Sequence, residues 1–142
     1  MQGFDANVVK ETLHTNYYGT LEATEQLLPI IRKDGRLVNV SSAAGHLNKY
    51  SDENTKAFLD GVQTGVPAIT KIMEKFQSAV EQGKEKDAGF PSAAYAVSKA
   101  GETGFTKAIA YREQQKGSSI LINACCPGYV ELWLYEVRSS RG

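Results

Sequence analysis

Two short, β-branched, mostly apolar runs restrict this chain more than anything else in it: Arg36-Leu37-Val38-Asn39-Val40-Ser41 and Ile120-Leu121-Ile122-Asn123-Ala124-Cys125-Cys126. The first follows the turn Lys33-Asp34-Gly35 and ends in Ser41-Ser42-Ala43-Ala44-Gly45; the second follows Gly117 and stops at Pro127-Gly128. Runs of this length between turn residues read as strands buried on both faces. A long helical pattern, from about Pro91 to Gln115, lies directly before the second run. Strand, helix, strand is a βαβ unit with a right-handed crossover. Both strand ends then emerge at one edge, where the helix begins, and open α/β sheets place their ligands at that edge.

The helices read as follows. Residues 5–31 form one long helix with Asp5 as N-cap. Val8, Val9, Leu13, Leu21, Thr24, Leu28 and Ile31 line its apolar face, and Pro29 and the Gly35 turn end it. Asn16, a poor helix former, sits in its middle beside Tyr17, Tyr18 and Gly19. It reads as an exposed amide, or as an amide or kink-freed carbonyl that holds a water. Residues 46–90 are polar and Gly-punctuated and read as an insertion. Within it a helix from about Pro67 to Gln82 puts Val66, Ile69, Met73, Phe76 and Val80 on one side. In the Pro91–Gln115 helix, Pro91 suits the first helical position. Ala100, Gly101, Thr103 and Gly104 are small enough for close approach of a neighbouring element.

Composition excludes several function classes. Sixteen basic residues balance sixteen acidic ones, so charge gives no case for nucleic acid or an anionic membrane. No apolar run approaches the ~20 residues of a membrane helix. The first residues lack the basic and apolar segments of a signal peptide. Cys125 and Cys126 are adjacent, point to opposite faces of a strand, and read as buried reduced thiols. The expectation is a cytoplasmic, single-domain protein.

Chemistry concentrates in Pro91-Ser92-Ala93-Ala94-Tyr95-Ala96-Val97-Ser98-Lys99. Tyr95 and Lys99 lie four residues apart, on one helix face. An ammonium held near a phenol favours the phenolate, which suits proton exchange with a carbonyl/alcohol pair. Ser41 and Ser42 stand at the strand end, where hydroxyls meet ligands. None of these features is specific alone.

In order along the chain, Asn16 in Thr15-Asn16-Tyr17-Tyr18-Gly19, Ser42 in Val38-Asn39-Val40-Ser41-Ser42, Tyr95 and Lys99, and Pro127-Gly128 resemble the motifs of the short-chain dehydrogenase/reductases. The long separation of Ser42 from Tyr95 and the run Ala124-Cys125-Cys126-Pro127-Gly128-Tyr129-Val130 are similar to the monomeric carbonyl reductases. The resemblance covers about residues 4–130. It implies NADPH-dependent reduction of small aldehydes or ketones by a monomer. Tyr95 would give the proton to the carbonyl oxygen. Lys99 would favour the phenolate and hold the nicotinamide ribose hydroxyls. Ser42 would polarise the carbonyl, and Asn16 would anchor a water linking Lys99 to solvent. Pro127, Gly128 and Val130 would line the nicotinamide site.

The chain also departs from that pattern. No G-x-x-x-G-x-G or G-x-G-x-x-G occurs in it, and the turn that holds a pyrophosphate needs one. Leu132 occupies the place of a Thr that usually follows the Pro-Gly. The expected fold is α/β: the C-terminal part of a Rossmann-like doubly wound parallel sheet over residues 1–130, with a divergent tail at 131–142. It has two strands, long flanking helices and a helical insertion at about 46–90, and lacks the nucleotide-binding βαβ half. Such a chain alone is expected to be marginally stable, inactive, and prone to aggregate through the free edge of its first strand. A non-catalytic pseudoenzyme, a binding module, or a helical protein pairing with a partner sheet are the alternative readings.

Overall fold

The computed structural model describes residues 4–128. The long first helix is present but changes winding partway. The Asp5 carboxylate caps it by accepting from the Val8 amide at 2.9 Å. α1 (Ala6–Thr12) runs into a π-helical stretch, Leu13–Gly19, then α2 (Thr20–Leu27) and a 3-10 turn, Leu28–Ile30, that contains Pro29. Val9, Leu13, Tyr17, Thr24 and Leu28 keep one buried side through the change. Asn16 lies in the middle of the π-helical stretch, where backbone hydrogen bonding departs from the α pattern.

β1 (Arg36–Val40) and β2 (Leu121–Cys125) pair in parallel, Arg36 beside Leu121 and Val40 beside Cys125. Their ends therefore share an edge, as the βαβ reading requires. The sheet is one-sided, which corrects the expectation of strands buried on both faces. Leu37, Asn39 and Ile122 face inward, while Val38 and Val40 are 53% and 58% exposed. Cys125 and Cys126 are free but exposed, not buried. The physical reason is the same for both corrections: no element among the described residues lies over the outer face. Asn39 is the polar exception inside. Its amide nitrogen donates to Thr106 Oγ1 at 2.9 Å and Thr24 Oγ1 at 3.2 Å, joining β1 to both helices beneath it.

The insertion folds as two helices, α3 (Asp52–Thr64) and α4 (Val66–Glu81). α4 matches its sequence reading, with Ile69, Met73, Phe76 and Val80 buried. α3 was not evident from periodicity. Its inward side carries Asn54, Phe58 and Gly61, of which Phe58 alone is a large apolar residue. Ser51 caps it, accepting from the Asn54 amide at 3.2 Å, and Asp52 and Glu53 favour its positive end. The buried Asn54 side chain donates to the Ala88 carbonyl at 2.8 Å and accepts from Lys75 Nζ at 3.0 Å. Its polar atoms are thus satisfied.

α5 (Ala94–Gln115) is the central helix, in contact with the π-helical stretch, α3, α4 and both strands. Its small residues act as expected. A Cβ added at Gly101 would come within 2.8 Å of the Tyr17 ring and 2.5 Å of Met73 Sδ. The helix starts at Ala94, three residues later than Pro91 suggested. The Pro91 carbonyl instead accepts from the Ala93 amide, and Ser92 Oγ donates to Glu85 Oε1 at 2.6 Å, keeping this segment in a turn. No helix among the described residues is long and apolar enough to cross a membrane.

Candidate active site

The site forms where the first turns of α5 meet the end of β1. Tyr95 lies on the first turn and is half exposed, at 52%. The Lys99 ammonium lies 5.9 Å from the centre of the Tyr95 ring. It donates to the Val40 carbonyl at 2.8 Å and to Glu102 Oε2 at 2.7 Å. An ammonium has three N–H donors, so one remains for a further partner. The expected face-sharing of Tyr95 and Lys99 is therefore realised, with Lys99 also anchored to the strand.

Ser41 and Ser42 divide the work at the strand end. Ser41 is buried; its hydroxyl donates to the Lys99 carbonyl at 3.1 Å and pairs with Thr103 Oγ1 at 2.7 Å. It fastens the strand end to α5. Ser42 caps the 3-10 turn Ala43–Gly45, its oxygen accepting from the Ala44 amide at 3.1 Å. That bond uses an oxygen lone pair and leaves the hydroxyl proton free to donate. Gly45 presses this turn onto α5 so closely that an added Cβ would meet the Ala100 amide nitrogen at 2.6 Å. No hydrogen bond among the described residues joins Ser42 to Tyr95; what the structure brings together is the Ser42 turn and the Lys99–Thr103 segment of the Tyr95 helix.

Asn16 reaches the same helix from behind. Its amide nitrogen donates to Ser98 Oγ at 3.2 Å, and Ser98 Oγ donates to the Tyr95 carbonyl at 2.8 Å. Ser98 is fully buried. It is a residue the sequence reading missed, although it occupies one of the intervening positions of the Tyr-x-x-x-Lys motif.

On the β2 side, Pro127 and Gly128 follow the strand at the same edge, Gly128 with a φ of 83° that favours glycine. Cys126 Sγ accepts from the Ala43 amide at 3.1 Å, tying this turn to the Ser42 turn. The Gly128 and Ala43 backbone N–H groups hold the Cys126 thiol below its ordinary range. Val130 and the tail at 131–142, Leu132 included, lie outside the described residues.

A cleft of about 470 Å³ is lined by Ser42, Leu47, Phe58, Thr103, Ala124 and Cys126 among others. Tyr95 and Lys99 do not line it. Among the described residues no cluster of His, Cys, Asp or Glu suits a metal ion.

Comparison with known proteins bears on the family and the fold. No family model matches the chain. It is 39% identical over 123 residues to carbonyl reductase [NADPH] 1 of Homo sapiens, covering 84% of this chain and 44% of that protein. It is 36% identical over 135 residues to carbonyl reductase [NADPH] 3 of Rattus norvegicus, covering 92% of this chain and 48% of that protein. The chain thus spans less than half the length of the curated relatives it matches. Among solved structures, salutaridine reductase from Papaver somniferum superposes with a TM-score of 0.77 at 27% identity, over 87% of this chain and 42% of the other. Menthone neomenthol reductase from Mentha piperita gives 0.73 at 31% identity, over 86% and 42%. The fold and its neighbours define the class: the chain belongs to the short-chain dehydrogenase/reductases and carries part of their Rossmann fold. Within that class it is carbonyl-reductase-like.

Proposed function

We propose that this chain carries the carbonyl-reducing half of an NADPH-dependent reductase acting on small aldehydes or ketones. The observation that carries the reading is the double anchoring of Lys99, beside Tyr95 and against the end of β1. NADPH, when bound, supplies the hydride that reaches the carbonyl carbon. Tyr95 gives its phenolic proton to the carbonyl oxygen as the negative charge develops there. Ser42, whose hydroxyl proton is not used in its turn, supplies a second donor to that oxygen, as oxyanion stabilisation requires. Lys99 stabilises the phenolate left on Tyr95, and its remaining N–H binds a ribose hydroxyl. Asn16, held against Ser98 in the π-helical stretch, fixes the rear of the helix and anchors the water through which the proton is restored. Pro127, Gly128 and Val130 border the nicotinamide.

The residues present fit the nicotinamide end of the cofactor: a free ammonium donor and a Pro-Gly turn lie at one sheet edge. They do not fit the pyrophosphate end, because the 142 residues contain no Gly-rich strand–turn–helix. For that reason the 142-residue chain alone is expected to bind NADPH weakly and to oxidise none when a carbonyl compound is added. The same observation favours a second reading, a non-catalytic binding or structural remnant of the class. We place the chain's residues 1–130 in one partial domain and infer a monomer in the cytoplasm.

The two readings separate in a chimera that inserts residues 4–128 between the flanking segments of a carbonyl reductase. The reductase reading requires carbonyl-dependent NADPH oxidation that is lost with Tyr95→Phe. A chimera that binds NADPH and reduces no carbonyl compound supports the remnant instead.

A further inference from the structure

We propose that Glu102 is a positioning residue of this site, holding the Lys99 ammonium beside the end of β1 so that one N–H is left for a bound hydroxyl. The proposal rests on the reductase reading for its ligand, but not for its geometry. Glu102 is 2% exposed and Lys99 has a 14% exposed side chain, with 2.7 Å between Nζ and Oε2. Ion pairs three residues apart are ordinarily a feature of solvated helix faces and fix little. This one is buried, and a buried carboxylate is tolerated when paired. Its neighbours on the helix, Gly101 and Phe105, contribute packing and no charge. A lysine stem is flexible and its ammonium has no preferred direction of its own. Two acceptors in different directions, the Val40 carbonyl and the Glu102 carboxylate, give it one. With both in place Lys99 offers a ligand a single hydrogen bond, not a two-donor clamp. Burial acts on Glu102 to raise its pKa, and Lys99 opposes that shift.

The test uses the full 142-residue chain and needs no turnover. Each lysine is labelled with acetic anhydride, and its rate in the native chain is compared by peptide mass spectrometry with its rate in denaturant. Lys99 is expected to be protected in the wild type. Glu102→Gln and Glu102→Leu are expected to raise its labelling roughly tenfold while other lysines keep their rates, with Glu102→Asp between. A general loss of stability would speed the other lysines as well, so selectivity for Lys99 is the signature of positioning. Should the variants not fold, the wild type decides: a through-hydrogen-bond coupling between Lys99 15Nζ and Glu102 13Cδ supports the proposal. Its absence overturns it, as does an unprotected Lys99 or a labelling rate indifferent to Glu102→Leu in a folded chain. A chimera without carbonyl reduction, or with reduction that survives Tyr95→Phe, would instead sink the reductase reading and leave the labelling result standing.

Discussion

The Lys99 ammonium donates to the carbonyl oxygen of Val40 at 2.8 Å, fastening the helix that carries Tyr95 to the last residue of β1, two residues before Ser42. One bond between these two residues thus ties the first turns of α5 to the end of β1. Residues around this junction each make a measurable prediction.

Gly45 is the first. A Cβ there would meet the Ala100 nitrogen at 2.6 Å and the Lys99 carbonyl carbon at 2.8 Å, both backbone atoms that cannot rotate away. Gly45→Ala therefore pushes the Ser42 turn off α5. The expected cost is about 1–3 kcal/mol, as for other overpacked sites, read as a lower urea midpoint with an unchanged slope.

Asn39 makes the second. Replacing it with Ala leaves Thr24 and Thr106 without their amide partner in a buried site. Exposing a buried network to loss of one member costs about 1–3 kcal/mol. Urea denaturation of Asn39→Ala should show that loss, and Asn39→Asp should not restore it, because a carboxylate cannot donate as the amide does.

These buried residues also show how far the sequence could be read. Leu37 and Val40, Tyr95 and Lys99, and the small residues Ala100, Gly101, Thr103 and Gly104 announced themselves, because β-branched runs, helical spacing and small side chains are local signals. Asn16 stood out as a poor helix former, and the π-helical winding now explains its place. α3 was hidden because its inward face uses Asn54 and Gly61, which carry no apolar periodicity; the Ser51 cap with Asp52 and Glu53 behind it was the available signal. Glu102 was hidden because a charged helical residue reads as solvated, although its i,i+3 spacing from Lys99 was visible. The apolar stretch around Cys125 and Cys126 implies burial, but burial needs an element over that face of the strand, which is a long-range property. Ser98 and Ser41 gain their roles from contacts across the fold that no local pattern encodes.

The third prediction concerns pH. Burial raises the Glu102 carboxyl above its ordinary range, with the Lys99 ion pair pulling the other way. The folded chain therefore holds this proton more tightly than the unfolded chain, whose carboxyl titrates near ~4.3. That contribution to stability is fully present below the unfolded value and is lost as pH rises through the raised folded value. Urea denaturation from about pH 4 to 7 should show the stability of the wild type, relative to Glu102→Gln, falling as pH rises. A difference that grows with pH would contradict the burial argument.

The fourth concerns Cys126, whose thiolate is favoured by the N–H groups of Gly128 and Ala43. Iodoacetamide reacts with thiolates. At pH 7 Cys126 in the native chain should alkylate faster than the same cysteine in the denatured chain, and the advantage should shrink as pH rises past the free thiol range near ~8.5.

The central claim, that Tyr95 is a proton donor to a carbonyl oxygen, is tested most directly by carbonyl-dependent NADPH oxidation in the chimera carrying residues 4–128. Tyr95→Phe should lower kcat/KM by at least about 100-fold while NADPH binding and the unfolding midpoint stay within experimental scatter, since Tyr95 is half exposed and packs little. A Phe variant that reduces the carbonyl compound as fast as the parent chimera would contradict the account.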